Sequence, residues 1–110
     1  MRARLTADFW VRAYLQRLRL ADIPAFVTRR GDETAGAVAV KLNTLDGRAR
    51  AFTRINDATG ARVWAVTAEG EDAAVDAALE RAARFDPDLW IIEVEDRDGR
   101  HLLDEPGLAD

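Results

Sequence analysis

The chain of 110 residues has no cysteine and no serine, a single histidine and a single lysine. The missing cysteines remove disulfides, thiolate metal sites and thiol nucleophiles together. Without serine, only seven threonines, Tyr14 and Lys41 remain to attack a carbonyl, which disfavours acyl transfer. His101 is the only imidazole, so a multi-histidine metal site is excluded. A lone histidine beside Leu102 and Leu103 reads as packed or solvated rather than catalytic. Neither a dinucleotide-type glycine fingerprint nor a P-loop occurs, which argues against a nucleotide enzyme. No apolar run approaches the roughly 20 residues of a membrane span. The basic N-terminus leads into an amphipathic stretch and not a signal-peptide core, so the expected compartment is the cytoplasm, with no membrane contact. No cofactor and no metal are expected.

Charge is present in quantity and unevenly spread. Residues 1–68 carry 12 basic against 6 acidic residues, and residues 69–110 carry 4 against 14. The overall charge of −4 therefore hides a basic half and an acidic half that attract each other, within one fold or between copies. All but one of the 16 basic residues are arginine, for which GC-rich coding is the plainer reading than selection for anion contacts. The acidic residues near Asp96, Asp98, Gly99 and Glu105 mimic half of a calcium loop. Val94 stands at the first ligand position, however, and a strand precedes it, so the cluster reads as a solvated turn.

Periodicity predicts the order α-β-β-β-β-α-β-β. Thr6 or Asp8 caps a first helix with Phe9, Ala13, Leu15, Leu18 and Leu20 at helical spacing, and Ile23-Pro24 ends it. Residues 25–30 read as extended. A polar loop between Gly31 and Gly36 leads to a half-buried strand in which Val38, Val40 and Leu42 alternate with Ala37, Ala39 and Lys41. Asp46-Gly47 and residues 56–60 turn the chain between two further strands, 48–55 and 62–68. The second helix presents Ala74, Val75, Ala78, Leu79, Ala82 and Phe85 as one apolar stripe, with acids at its start and Arg81 and Arg84 near its end. Trp90 to Glu95 alternates as a strand, and a short strand at 100–103 closes a last hairpin. A frayed tail is expected beyond Pro106. The fold expected is a single α+β domain over residues 1–110, a two-layer sandwich with a mostly antiparallel sheet and two helices packed on one face.

Four stretches, Leu5–Arg17, Arg29–Lys41, Leu45–Gly47 and Asp86–Arg100, together resemble the bacterial family grouped as domain of unknown function 1491. The middle departs from that pattern at Ala51–Ile55. The resemblance implies a small stand-alone bacterial protein and brings no activity, cofactor or catalytic residue with it.

The residues themselves point to one surface. On the third strand Arg48, Arg50, Phe52 and Arg54 project to one side, and on the fourth Arg62, Trp64 and Val66 do, so arginine and aromatic rings share a sheet face. Such faces bind single strands, with arginine neutralising phosphate and rings stacking bases. The plainer reading buries Phe52 and Trp64 in the core while the arginines snorkel or pair with acids of the C-terminal half, and the acidic net charge favours it. Arg29 and Arg30, beside Gly31, are the nearest local grouping for an anion. The candidate binding surface is therefore Arg29, Arg30, Arg50, Phe52, Arg54 and Trp64. The reading that best fits the sequence is a non-enzymatic protein-interaction module that self-associates. A weak nucleic-acid or anion binder is the alternative, and an enzyme acting through carboxylates stands third.

Overall fold

The structure is a computed structural model that describes residues 5–109. Helix α1, Ala7–Leu20, begins at Thr6, whose hydroxyl accepts from the Phe9 N–H at 3.3 Å. Two further N–H groups of its first turn, on Ala7 and Asp8, donate to the carbonyls of Thr34 and Glu33, so the polar loop caps this helix from outside. The buried stripe of α1 is Ala7, Trp10, Val11, Tyr14 and Leu18, which is rotated from the expected one. Phe9 and Leu20 are 52% and 75% exposed. The large rings set the buried face, because Trp10 and Tyr14, four residues apart, stack at 4.9 Å and outweigh the smaller Phe9-to-Leu20 series.

Five strands follow: β1 (Ala25–Arg29), β2 (Val38–Asn43), β3 (Arg48–Asn56), β4 (Arg62–Glu71) and, after helix α2 (Asp72–Phe85), β5 (Trp90–Glu95). They form one sheet in the order β1-β5-β2-β3-β4, antiparallel except where β2 meets β5. The α+β class and the mostly antiparallel sheet agree with the expectation. Strands β4 and β5 run in the same sense, and such strands cannot be joined by a tight turn, so α2 carries the chain across one face to reach β5.

The position of the helices differs from the expectation of one shared face. Trp90, Ile92 and Val94 of β5, with Val40 and Leu42 of β2 and Phe52 of β3, form a core with α1. The alternate residues Ala39, Ala49 and Ala51 form a second core with Val75 and Leu79 of α2, joined by Ile91. The helices therefore cover opposite faces. The alternation in β2 is one of large and small residues, not of buried and solvated ones, and Ala39 and Lys41 lie under α2. Alanines on that face let α2 sit close to the sheet. In α2 itself Phe85 is 91% exposed and Ala83, not Ala82, packs inward.

The C-terminal segment also departs from the pattern read in the sequence. No strand forms at 100–103. The Asp96 carboxylate accepts from the Arg100 backbone N–H at 2.7 Å and from its guanidinium at 3.1 and 2.9 Å, and Leu102 takes a φ of 63°, so the chain turns away from the sheet edge. Past Pro106, where fraying is expected, Leu108 is buried at 2% exposure. The segment lies across α1 and the β3–β4 hairpin as a strap. Tyr14 donates to the His101 carbonyl at 2.8 Å, Arg17 reaches Glu105 and the Pro106 carbonyl, and both Arg54 and Trp64 donate to the Leu108 carbonyl.

Candidate functional site

Strand alternation brings Arg50, Phe52, Arg54 and Trp64 to one face, but α1 and the C-terminal strap cover most of it. Phe52 is 7% exposed and its ring lies 4.6 Å from that of His101. Arg50 turns outward to pair with Glu69 at 3.1 Å. What remains at the edge of the helix is a compact stack. The Trp10 and Trp64 rings are 5.4 Å apart, and the Arg54 guanidinium carbon sits 4.6 Å from the centre of Trp64 and 5.2 Å from that of Trp10. Cation–π attraction and the Leu108 carbonyl hold the guanidinium there. Phe52 thus offers no open ring face on which a nucleobase can stack.

Arg29 and Arg30 are not part of this cluster. Arg30 lies 5.0 Å over the Trp90 ring, whose indole N–H donates to the Asp32 carbonyl at 2.8 Å. Arg29 donates to the Pro87 carbonyl at 3.1 Å and lines a cleft of about 670 Å³ on the α2 side of the sheet.

Lys41, the only lysine, reaches the same cleft. It is nearly enclosed, with 3% of its side chain exposed, and its ammonium lies 2.5 Å from Asp72, 2.7 Å from Asp76 and 3.3 Å from Glu93. Burial works against its charge, yet the hydrogen bonds it donates to Asp72 and Asp76 and the charges of Glu93 and Asp76 outweigh that and raise its pKa above the ordinary value. A lysine held charged in this way cannot act as a nucleophile, and its role is to tie α2 to β2 and β5. Among the described residues no group of His, Cys, Asp or Glu is placed to hold a metal ion.

A second cleft, of about 840 Å³, opens on the α1 side between the first turn of α1, residues 34–38 and the β3–β4 hairpin. Trp10, Arg54 and Trp64 form one wall, and Arg62, Val38 and Leu89 also line the cleft. The indole N–H of Trp10 is buried and has no acceptor. Such a donor costs about 1–3 kcal/mol if it stays unmet. Sequence alternation identifies Arg54, Arg62 and Trp64 but misses the 34–38 wall. Its signal was the pair of glycines: a Cβ on Gly31 or Gly36 would lie 2.1 or 2.4 Å from the Asp88 carbonyl oxygen, so only glycine lets this loop close onto the turn before β5.

The architecture is shared with solved proteins. A crystal structure of a DUF1491 family protein from Caulobacter crescentus CB15 superposes with a TM-score of 0.81 at 44% identity, covering 93% of this chain and 95% of that one. An NMR structure of a DUF1491 family protein from the same organism gives 0.81 and 44% over 96% and 97%. A solution structure of a protein from A. tumefaciens gives 0.72 at 31% identity over 84% and 86%. No curated protein sequence matches the chain. The family model described as a protein of unknown function (DUF1491) matches residues 5–104, and the chain accordingly belongs to that family.

Proposed function

We propose that the protein is a non-enzymatic interaction module of the cytoplasm that pairs with a second copy of itself along β4. The observation that carries this reading is the edge position of β4, a ten-residue strand whose outer side faces no other strand among the described residues. An edge of that length is a template for another chain. Its charge is graded, with Arg62 at the start and Glu69 and Glu71 at the end, and half-exposed Val66 lies between them. Antiparallel pairing centred on Val66 and Thr67 sets Arg62 of one copy opposite Glu71 of the other. The register shift in β4 at this point keeps both of those residues on the α1 face, so the pairing needs no change of side. This extends to a second molecule the attraction between basic and acidic segments already used inside the fold.

Sedimentation from low to high micromolar concentration tests the proposal. A dimer is expected that Val66→Lys, a charge set in the middle of the edge, converts to monomer while the circular dichroism stays unchanged. A monomer at every concentration and ionic strength overturns it, as does a dimer indifferent to Val66→Lys.

A further inference from the structure

We infer that the α2-side cleft binds a linear zwitterion, an ω-amino acid whose ammonium and carboxylate stand at opposite ends of a short hydrocarbon chain. Its volume, about 670 Å³, lies within the range of sites that enclose small organic ligands. The walls carry both signs of charge, Arg29, Lys41 and Arg84 against Asp76, Glu80 and Glu93. Lys41 is matched inside the protein by Asp72, Asp76 and Glu93. Arg29, Glu80 and Arg84 are not: among the described residues none of the three makes an ion pair, and the enclosed Nε of Arg29 has no acceptor. Glu80 stands four residues before Arg84, the spacing and order that favour a pair along a helix. Asp8 and Arg12 of α1 close such a pair at 3.2 Å, whereas Glu80 and Arg84 stay apart on the wall of the cleft.

The two ends of the cleft differ in sign. Arg29 is the partner of Ile91 in the β1–β5 register, and Ile91 and Ala83 pack on the same core, which sets Arg29 and Arg84 at one end. Glu93 lies two residues further along β5, and Glu80 lies one turn before Arg84, toward Asp76 and the Lys41 cluster. Four residues of helix and two of strand each advance about 6–7 Å. An extended ε-aminocaproate separates its charges by a comparable length, whereas an α-amino acid carries both on one carbon. Leu79, Ala83 and Ile91 supply an apolar surface between the ends for the methylene chain. The carboxylate accepts from Arg29 Nε and the Arg84 guanidinium, and the ammonium donates to Glu80. A simple anion or a simple cation leaves one end unmatched, so the pair of charges sets the specificity. Binding is non-covalent, and the ligand enters and leaves as the zwitterion.

Calorimetry and amide chemical shifts, followed during titration with ε-aminocaproate, test the inference. Saturable binding is expected, with shifts confined to α2, β1 and β5. Caproate and hexylamine, which each keep the chain and one charge, should bind roughly tenfold or more weakly, because each loses a charge-assisted hydrogen bond. Glycine, with its charges adjacent, should bind more weakly still. Glu80 and Arg84 are exposed, so their glutamine variants should fold as the parent does. Arg84→Gln should shrink the advantage of ε-aminocaproate over hexylamine, and Glu80→Gln its advantage over caproate, a crossed pattern that a general loss of structure does not produce. Val66→Lys should leave ε-aminocaproate binding unchanged, so this test is independent of self-association. Titrations that do not saturate, equal affinity for caproate or hexylamine, the same loss for every ligand in both variants, or shifts on other faces would each overturn the site.

Discussion

Lys41 is the residue whose environment departs furthest from what its position in an alternating strand suggests. It is a cation under a helix, balanced by Asp72, Asp76 and Glu93. Removing one member of a buried ionic cluster strands the others, at about 3–5 kcal/mol when all are buried. Asp72 and Asp76 remain nearly half exposed, so Lys41→Met should cost less, about 2–4 kcal/mol by urea unfolding. A neutral result would mean that α2 is held by its alanine contacts alone. His101 offers a second test. Its Nδ1 accepts from the Leu103 N–H at 3.0 Å, which requires that nitrogen to be unprotonated. Burial lowers its pKa below the ordinary value; Asp104 opposes this and Arg50 reinforces it. A group whose folded pKa is depressed stabilises the fold above its unfolded pKa, near 6.5 for histidine, and that contribution is lost as pH falls through the folded value. The unfolding midpoint of the protein should therefore drop between pH 7.5 and pH 5.5 by more than that of His101→Gln. Equal drops would show that another group carries the dependence.

At the scale of elements, the helices and strands follow local pattern closely, and the errors fall where pattern is ambiguous. The existence and order of α1, β1 to β4, α2 and β5 were legible because capping residues, Pro24, Pro87 and the glycine turns punctuate the chain. Which stripe of α1 is buried was not, since Phe9, Trp10, Val11 and Tyr14 supply apolar groups around most of its circumference, and only contact with the sheet chooses among them. The C-terminal segment has no periodicity at all, so its role as a strap had no local signal. Two substitutions separate packing from composition at this scale. Leu108→Ala should destabilise by about 2–4 kcal/mol through the cavity it leaves and should loosen the Arg54 and Trp64 contacts to the strap. Phe85→Ala, in the apolar stripe read for α2 but exposed in the fold, should lie within about 0.5 kcal/mol of neutral. Differential scanning calorimetry of the pair decides it. Similar losses for both would place Phe85 in an interface.

Across the whole molecule, the charge asymmetry read from the sequence becomes a set of contacts between the two halves. Lys41 with Asp72, Asp76 and Glu93, Arg50 with Glu69 and Arg17 with Glu105 each join a basic-half residue to an acidic-half one. The exposed pairs among them contribute about 0–1 kcal/mol apiece, and the enclosed Lys41 cluster is the one that matters for stability. Amino-acid order alone determined the inventory of chemistry, the α+β class, the element order and the family. These follow from near-neighbour physics: spacing, capping and turn preference. Tertiary structure decided which face each helix covers, that Arg54 and Trp64 of the six candidate residues stack on each other, and that Trp10 and residues 34–38 complete a cleft with them. A strand of alternating large and small residues reads the same whether its small residues meet a helix or water, and only the crossover of α2 from β4 to β5 settles which one they meet.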